Sequence, residues 1–119
     1  MLDQQVKTTF EQAEEIFNNA QQELYKPEED VVHYMVCHGA FKATYKYLKG
    51  YLLSNKVEVA DKAPLEALIG QCRKIDPKFL ALNLEKFYNA TEEEDVWMSI
   101  GTAQEFMEMA TDTRTLVVE

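Results

Sequence analysis

Residues 31–53 read VVHYMVCHGAFKATYKYLKGYLL, a helix-length segment with almost no polar side. Val31, Tyr34, Met35, Phe41, Tyr45, Leu48 and Leu52 recur at helical spacing, the mark of an apolar stripe. A second line, Cys37, Ala40, Thr44, Tyr47 and Tyr51, is also mostly apolar or small. Only Lys42, Lys46 and Lys49 clearly require water. A helix that is hydrophobic nearly all round has to be covered on several sides. The segment therefore predicts the central post of a helical bundle, with the rest of the chain wrapped about it.

The flanking sequence supplies the wrapping. Val6, Phe10, Ala13, Phe17, Ala20 and Leu24 step by three and four, so residues 3–25 read as an amphipathic helix packing by one face. Pro27 ends that helix and opens the next, over residues 28–54, because proline is tolerated in a first turn. A connection this short predicts that the first two helices are antiparallel. A third helix starts near Pro64, carries Leu65, Leu68, Ile69 and Cys72 inward, and breaks at Asp76-Pro77. A shorter helical piece at 78–88 would bury Phe79, Leu80, Leu84 and Phe87. The last helix opens with a capping box, Thr91 with Glu94, and buries Val96, Ile100, Ala103, Met107 and Ala110. Its pattern fades after Thr111, so residues 115–118 read as either a frayed end or a docking tail. The fold class is all-α: an up-down bundle of four to five helices in one domain spanning residues 1–119.

Composition narrows the function classes. A chain of 119 residues, 46% hydrophobic with four Gly and three Pro, can bury about 65% of its unfolded surface in one core. Residues 1–15, MLDQQVKTTFEQAEE, lack the basic start and apolar run of a signal peptide, and the expectation is a soluble cytoplasmic protein. Cys37 and Cys72 sit among apolar neighbours and read as small buried hydrophobes. Twelve Lys and Arg against twenty-one Asp and Glu give a formal charge of −9. That balance argues against non-specific DNA or RNA binding, which begins with phosphate neutralisation.

Chemistry-bearing patterns are sparse. Glu28-Glu29-Asp30 and Glu92-Glu93-Glu94-Asp95 could hold a divalent cation, but both fall in first turns, where carboxylates favour the helix dipole. Asp30-x-x-His33 has di-iron bundle spacing, yet such sites need that element twice, and the other histidine is His38. Cys37 adjoins His38, but adjacent helical residues do not face one another. No Gly-rich phosphate loop or nucleophile elbow is present. The expectation is no catalytic residue, no metal and no cofactor. Aromatics interleaved with lysines can clamp a nucleotide, so His38, Lys42, Tyr45, Lys46 and Arg73 form a candidate ligand groove. Tyr34, Tyr47 and Tyr51 are candidate interface residues, since tyrosine combines an apolar body with a polar tip.

Three stretches carry a family resemblance: TFEQAEEIFNNAQQEL, VCHGAFKATYKYLKGYLLSNKVEVADKAPLEALI and YNATEEEDVWMSIGTAQEFMEMA. Their order resembles the HEPN domain: an Ala/Glu-rich first helix, an Ala/Lys-rich central helix leading to Leu-x-x-Leu, and a Thr-Glu-Glu start to the last helix. Many HEPN members carry an Arg followed within a few residues by a His, the pair associated with ribonuclease activity. Here the arginines are Arg73 and Arg114, and no histidine follows either. Ala63-Pro64 stands where many members have a His, and no Arg-Tyr-Pro element occurs near Phe87-Tyr88. The resemblance thus implies a non-catalytic interaction module, homodimeric and binding a protein partner. The alternative is a nucleotide- or RNA-binding component paired with a nucleotidyltransferase or a toxin-antitoxin system.

Overall fold

In the computed structural model the described residues are 2–85, 87 and 100–118. They form four α-helices: α1 (Leu2–Leu24), α2 (His33–Ser54), α3 (Leu65–Ile75) and α4 (Ile100–Val118). Two 3-10 turns, Glu28–Asp30 and Pro77–Ala81, complete the order. No strand occurs among the described residues, and the fold class is all-α. None of the described helices is long and apolar enough to cross a membrane.

α2 is the centre, packing against α1, α3 and α4. Within it Val36, Cys37, Ala40, Ala43, Thr44, Tyr47, Leu48 and Leu52 are wholly inaccessible. The second of its two sequence lines is thus the deeper one. Met35, placed on the first line, is instead 55% exposed. Side-chain size explains the inversion. Small residues at Cys37, Ala40 and Ala43 let neighbouring helices close over them, whereas Tyr34, Phe41 and Tyr45 reach outward and stay half-buried.

α1 lies antiparallel to α2, as the short connection predicts. Tyr47 meets Glu14 and Lys46 meets Gln12, while Gly39 sits at Ala20 and Gly50 at Phe10 further along. A Cβ on Gly39 would come within 2.8 Å of the Ala20 Cβ, so the two backbones approach closely there. α4 also runs antiparallel to α1: Arg114 reaches Glu14, and Gln104 and Met107 flank Gln21 and Leu24. α3 breaks the simple up-down alternation. The connection after Ser54 places Ala63 at the Tyr45 hydroxyl, 2.6 Å away. Beyond α3, Phe79 lies against Tyr51 with ring centroids 4.8 Å apart, so the segment advances along α2 in α2's own direction.

Several local expectations change. α2 begins at His33, not residue 28. Glu28–Asp30 is a separate 3-10 turn, and the first turn of α2 holds no acidic residue. The helix-dipole reading of that acidic run therefore fails. Val31 and Val32 are β-branched, and Val32 takes an extended conformation as N-cap, which such side chains favour. Its N–H donates to the Glu23 carboxylate at 3.0 Å, which also accepts from Lys26. The piece after Pro77 is 3-10, opened by the Asp76 carboxylate accepting from the Lys78 N–H. Three residues per turn put Phe79 and Leu82 on one side, both buried, and Leu80 on the other at 69% exposure. Leu84 and Phe87 are buried as expected.

The chain's end also differs. α4 continues to Val118, with Thr113 and Val117 buried. The hydroxyls of Thr111, Thr113 and Thr115 donate to the carbonyls of Met107, Met109 and Thr111, a back-bond that satisfies each hydroxyl within the helix. Ala103, Met107 and Ala110 are buried as expected, joined by Phe106. The proposed capping box at Thr91 and Glu94, and Val96 with it, lie outside the described residues.

Candidate functional site

The five groove candidates do not gather at one place. The Tyr45 hydroxyl donates to the Ala63 carbonyl and ties α2 to the connection before α3. Burial and then Asp61 push that phenol's pKa upward. Arg73 donates to the Phe79 and Leu82 carbonyls, at 3.3 and 2.7 Å, and so pins the second 3-10 turn to α3. His38 and Lys42 line a shallow cleft between α1 and α2. Lys46 lies further along the same seam, donating to the Gln12 side-chain carbonyl at 3.0 Å.

The three candidate interface tyrosines also part company. Tyr47 is wholly buried, its ring edge-on to Phe17, and belongs to the core of the chain. Tyr51 packs against Phe79 with the Lys78 ammonium 5.8 Å from its ring centre. Tyr34 stacks on His38 at 5.8 Å, the rings nearly parallel, and lines the same cleft.

Sequence reading missed the main polar assembly between the helices, whose Arg114 and Glu14 side chains are 41% and 38% exposed. The Tyr47 hydroxyl donates to Glu14 Oε1 at 2.6 Å. Arg114 donates to both Glu14 oxygens, through Nε at 2.6 Å and Nη2 at 3.2 Å. The guanidinium also lies over the Phe17 ring at 5.6 Å. Three helices are thereby joined through one carboxylate. Arg114 holds the Glu14 carboxyl below its ordinary pKa against the opposing pull of burial, with Tyr47 adding to the fall. Burial, with Glu14 second, drives the Tyr47 phenol well above its usual range. A bidentate, charge-assisted arrangement of this kind is strong and directional. Glu14 was one acid among many on the polar side of α1, and nothing in its spacing marked a partner a hundred residues away.

The thiols are inert by environment. Cys37 and Cys72 are free and buried, and desolvation raises their pKa values to about 11 and about 12. Among the described residues, no group of three or more His, Cys, Asp or Glu could hold a metal ion. Asp30 lies in the 3-10 turn and His33 at the start of α2. The second acidic run, Glu92 to Asp95, falls outside the described residues.

The remaining feature is a long groove on the α1–α2 seam, with the cleft at one end. Ile16, Ala20, Tyr34, Met35, His38 and Gly39 dominate the cleft, which encloses about 220 Å³. Beyond Lys42 the groove opens between Gln5, Thr8 and Gln12 of α1 and Lys46 and Lys49 of α2. Comparison with known proteins adds no assignment: no family model, curated protein or solved structure matches the chain.

Proposed function

We propose that the chain is a non-catalytic helical interaction module of HEPN-like build, which self-associates and presents its α1–α2 side to a protein partner. The supporting observation is the apolar surface around the α1–α2 connection. Tyr25 is 75% exposed, Val32 48% and Met35 55%. Large apolar side chains concentrated on one end of a small protein mark a contact surface. The chain's reactive groups point the same way. Both thiols are buried, and both arginines are engaged, Arg73 on backbone carbonyls and Arg114 on Glu14.

Light scattering across a concentration series tests the self-association. The expected result is a mass rising toward a dimer at high micromolar concentration, and a monomer for Tyr25→Ser/Val32→Ser. Neither side chain lies in the core, so the double variant keeps the melting temperature of the parent within a few degrees. A strict monomer throughout contradicts the self-association, as does a dimer indifferent to both substitutions.

A further inference from the structure

One side of the α1–α2 pair carries a groove to whose lining neither α3 nor α4 contributes. From Tyr34 to Lys49 it follows about four turns of α2, roughly 22 Å at the helical rise. Its first part is mostly apolar, floored by Ala20 and Gly39 where the two backbones approach closely, with Asn19, Glu23 and Lys42 also in its lining. Its second part is polar in an unusual way. The α1 wall offers only amides and hydroxyls, from Gln4, Gln5, Thr8, Thr9 and Gln12, against Lys46 and Lys49. Among the described residues, no carboxylate forms an ion pair with Lys42, Lys46 or Lys49; the ion pairs present are Lys26–Glu23 and Arg114–Glu14.

This is notable in a chain with twenty-one acidic residues and a net charge of −9. Three cations stand one helical turn apart on one ridge, and their repulsion is felt. Burial first, then Lys49 and Lys42, lower the pKa of the Lys46 ammonium. A ligand that brings negative charge along this ridge relieves that repulsion, while the cleft beside it accepts apolar side chains.

We propose that the groove seats an acidic amphipathic helix from another protein. Its apolar residues, spaced three and four apart, fill the cleft over Gly39, and its carboxylates run along Lys42, Lys46 and Lys49. A helix laid in a groove between two helices is a common recognition mode, and opposite potentials give it orientation and a fast on-rate. A second copy fits less well, because at an isologous contact it offers Lys42, Lys46 and Lys49 this same groove, whose polar part is lined by no carboxylate. Nucleic acid fits less well too, because half of the groove is mostly apolar and offers a phosphate backbone one lysine, Lys42. The proposal rests on the reading of the chain as an interaction module; Met35 borders both surfaces, but neither Tyr25 nor Val32 lines the groove.

The test is selection from a displayed library of helical peptides of mixed charge, using the intact protein as bait. Lys42→Glu/Lys46→Glu/Lys49→Glu serves as counter-bait, and a Gln triple variant that melts like the parent controls for folding. The expected winners combine Asp or Glu with apolar residues at helical spacing. A synthesised winner should bind less tightly as salt rises, and lose at least about tenfold in affinity on the Glu variant. It should bind the Tyr25→Ser/Val32→Ser form unchanged, so failure here is separable from failure of the self-association reading. Enrichment of basic or uncharged peptides, no enrichment, or affinity indifferent to lysine reversal overturns the proposal. So does loss of a homodimer on lysine reversal, which gives the groove to a second copy, or displacement of the winner by a short RNA.

Discussion

On one flank of α2, Val36, Cys37, Ala40, Ala43, Thr44, Tyr47 and Leu48 are wholly inaccessible. On the other, Met35 is 55% exposed, and Lys42, Lys46 and Lys49 line an open groove. Both flanks belong to one continuous helix. The enclosed one is apolar apart from the Thr44 hydroxyl, which is satisfied at the Ala40 carbonyl, and a half-exposed polar knot, Glu14 with Tyr47 and Arg114, ties α1 and α4 beside it. The open one carries the three lysines. Apolar patterning says that a helix is covered; the lysine row says which side is not.

The largest expected contrast between the flanks comes from truncation. Leu48→Ala should cost about 2–5 kcal/mol, the range for buried leucines that leave a cavity. Met35→Ala should stay within about 0.5 kcal/mol, as exposed substitutions do. Urea unfolding followed by circular dichroism gives both values, and equal costs would erase the distinction.

Gly39 marks the boundary between flanks. Its missing Cβ lets α2 approach Ala20, whose own Cβ would stand 2.8 Å from an added methyl. Gly39→Ala should therefore destabilise by about 1–3 kcal/mol through overpacking, despite the roughly 1 kcal/mol that alanine gains in helix propensity. A stabilised variant would show that the α1–α2 approach is looser than described.

The polar knot should respond to both mutation and pH. Tyr47→Phe removes the hydrogen bond to the Glu14 carboxylate and should cost about 1–2 kcal/mol. Glu14 titrates below its ordinary value of 4.5 in the folded chain. Its contribution is therefore complete above that pH and disappears as the pH falls through the folded-state value. Thermal unfolding from pH 7 downward should show a shallower acid loss in Glu14→Gln than in the parent. Identical slopes would mean that the Arg114 pairing contributes nothing to stability.

The smallest effect lies at the far end of α2. Lys56 has a φ of 62°, the left-handed region, and its N–H reaches the Leu53 carbonyl while that of Val57 reaches Leu52. This is a Schellman-type ending with lysine where glycine is favoured. Lys56→Gly should stabilise by about 0.5–1 kcal/mol, read as a small rise in melting temperature.

Much of the fold was legible because periodicity reports burial directly. Ala13, Phe17 and Ala20 on α1, Leu65, Leu68, Ile69 and Cys72 on α3, and Ala103, Met107 and Ala110 on α4 all lie where spacing put them. The errors share a cause. Glu28–Asp30 and Pro77–Ala81 took 3-10 rather than α geometry, a choice set by Pro27, the Val31-Val32 pair and the Asp76 cap over only a few residues. The tail of α4 was misread because threonine's poor helix propensity is overridden by the burial of Thr113 and Val117 and by the distant Arg114–Glu14 pair. The site was less legible still. Tyr47 and Tyr51 were read as interface candidates from their apolar bodies and polar tips; their surroundings come from α1, α4 and the second 3-10 turn, which helical spacing does not reveal. The lysine row was visible at 42, 46 and 49. That its facing wall carries amides and hydroxyls follows only from the antiparallel register of α1.

Native-state hydrogen exchange, followed residue by residue, tests the enclosure of α2 most directly. Amides over residues 40–53 should exchange only through global unfolding, with protection matching the denaturant-derived stability and exceeding that of α3. Exchange of those amides by local opening, at rates like those of the 55–64 connection, would contradict a helix enclosed by the rest of the chain.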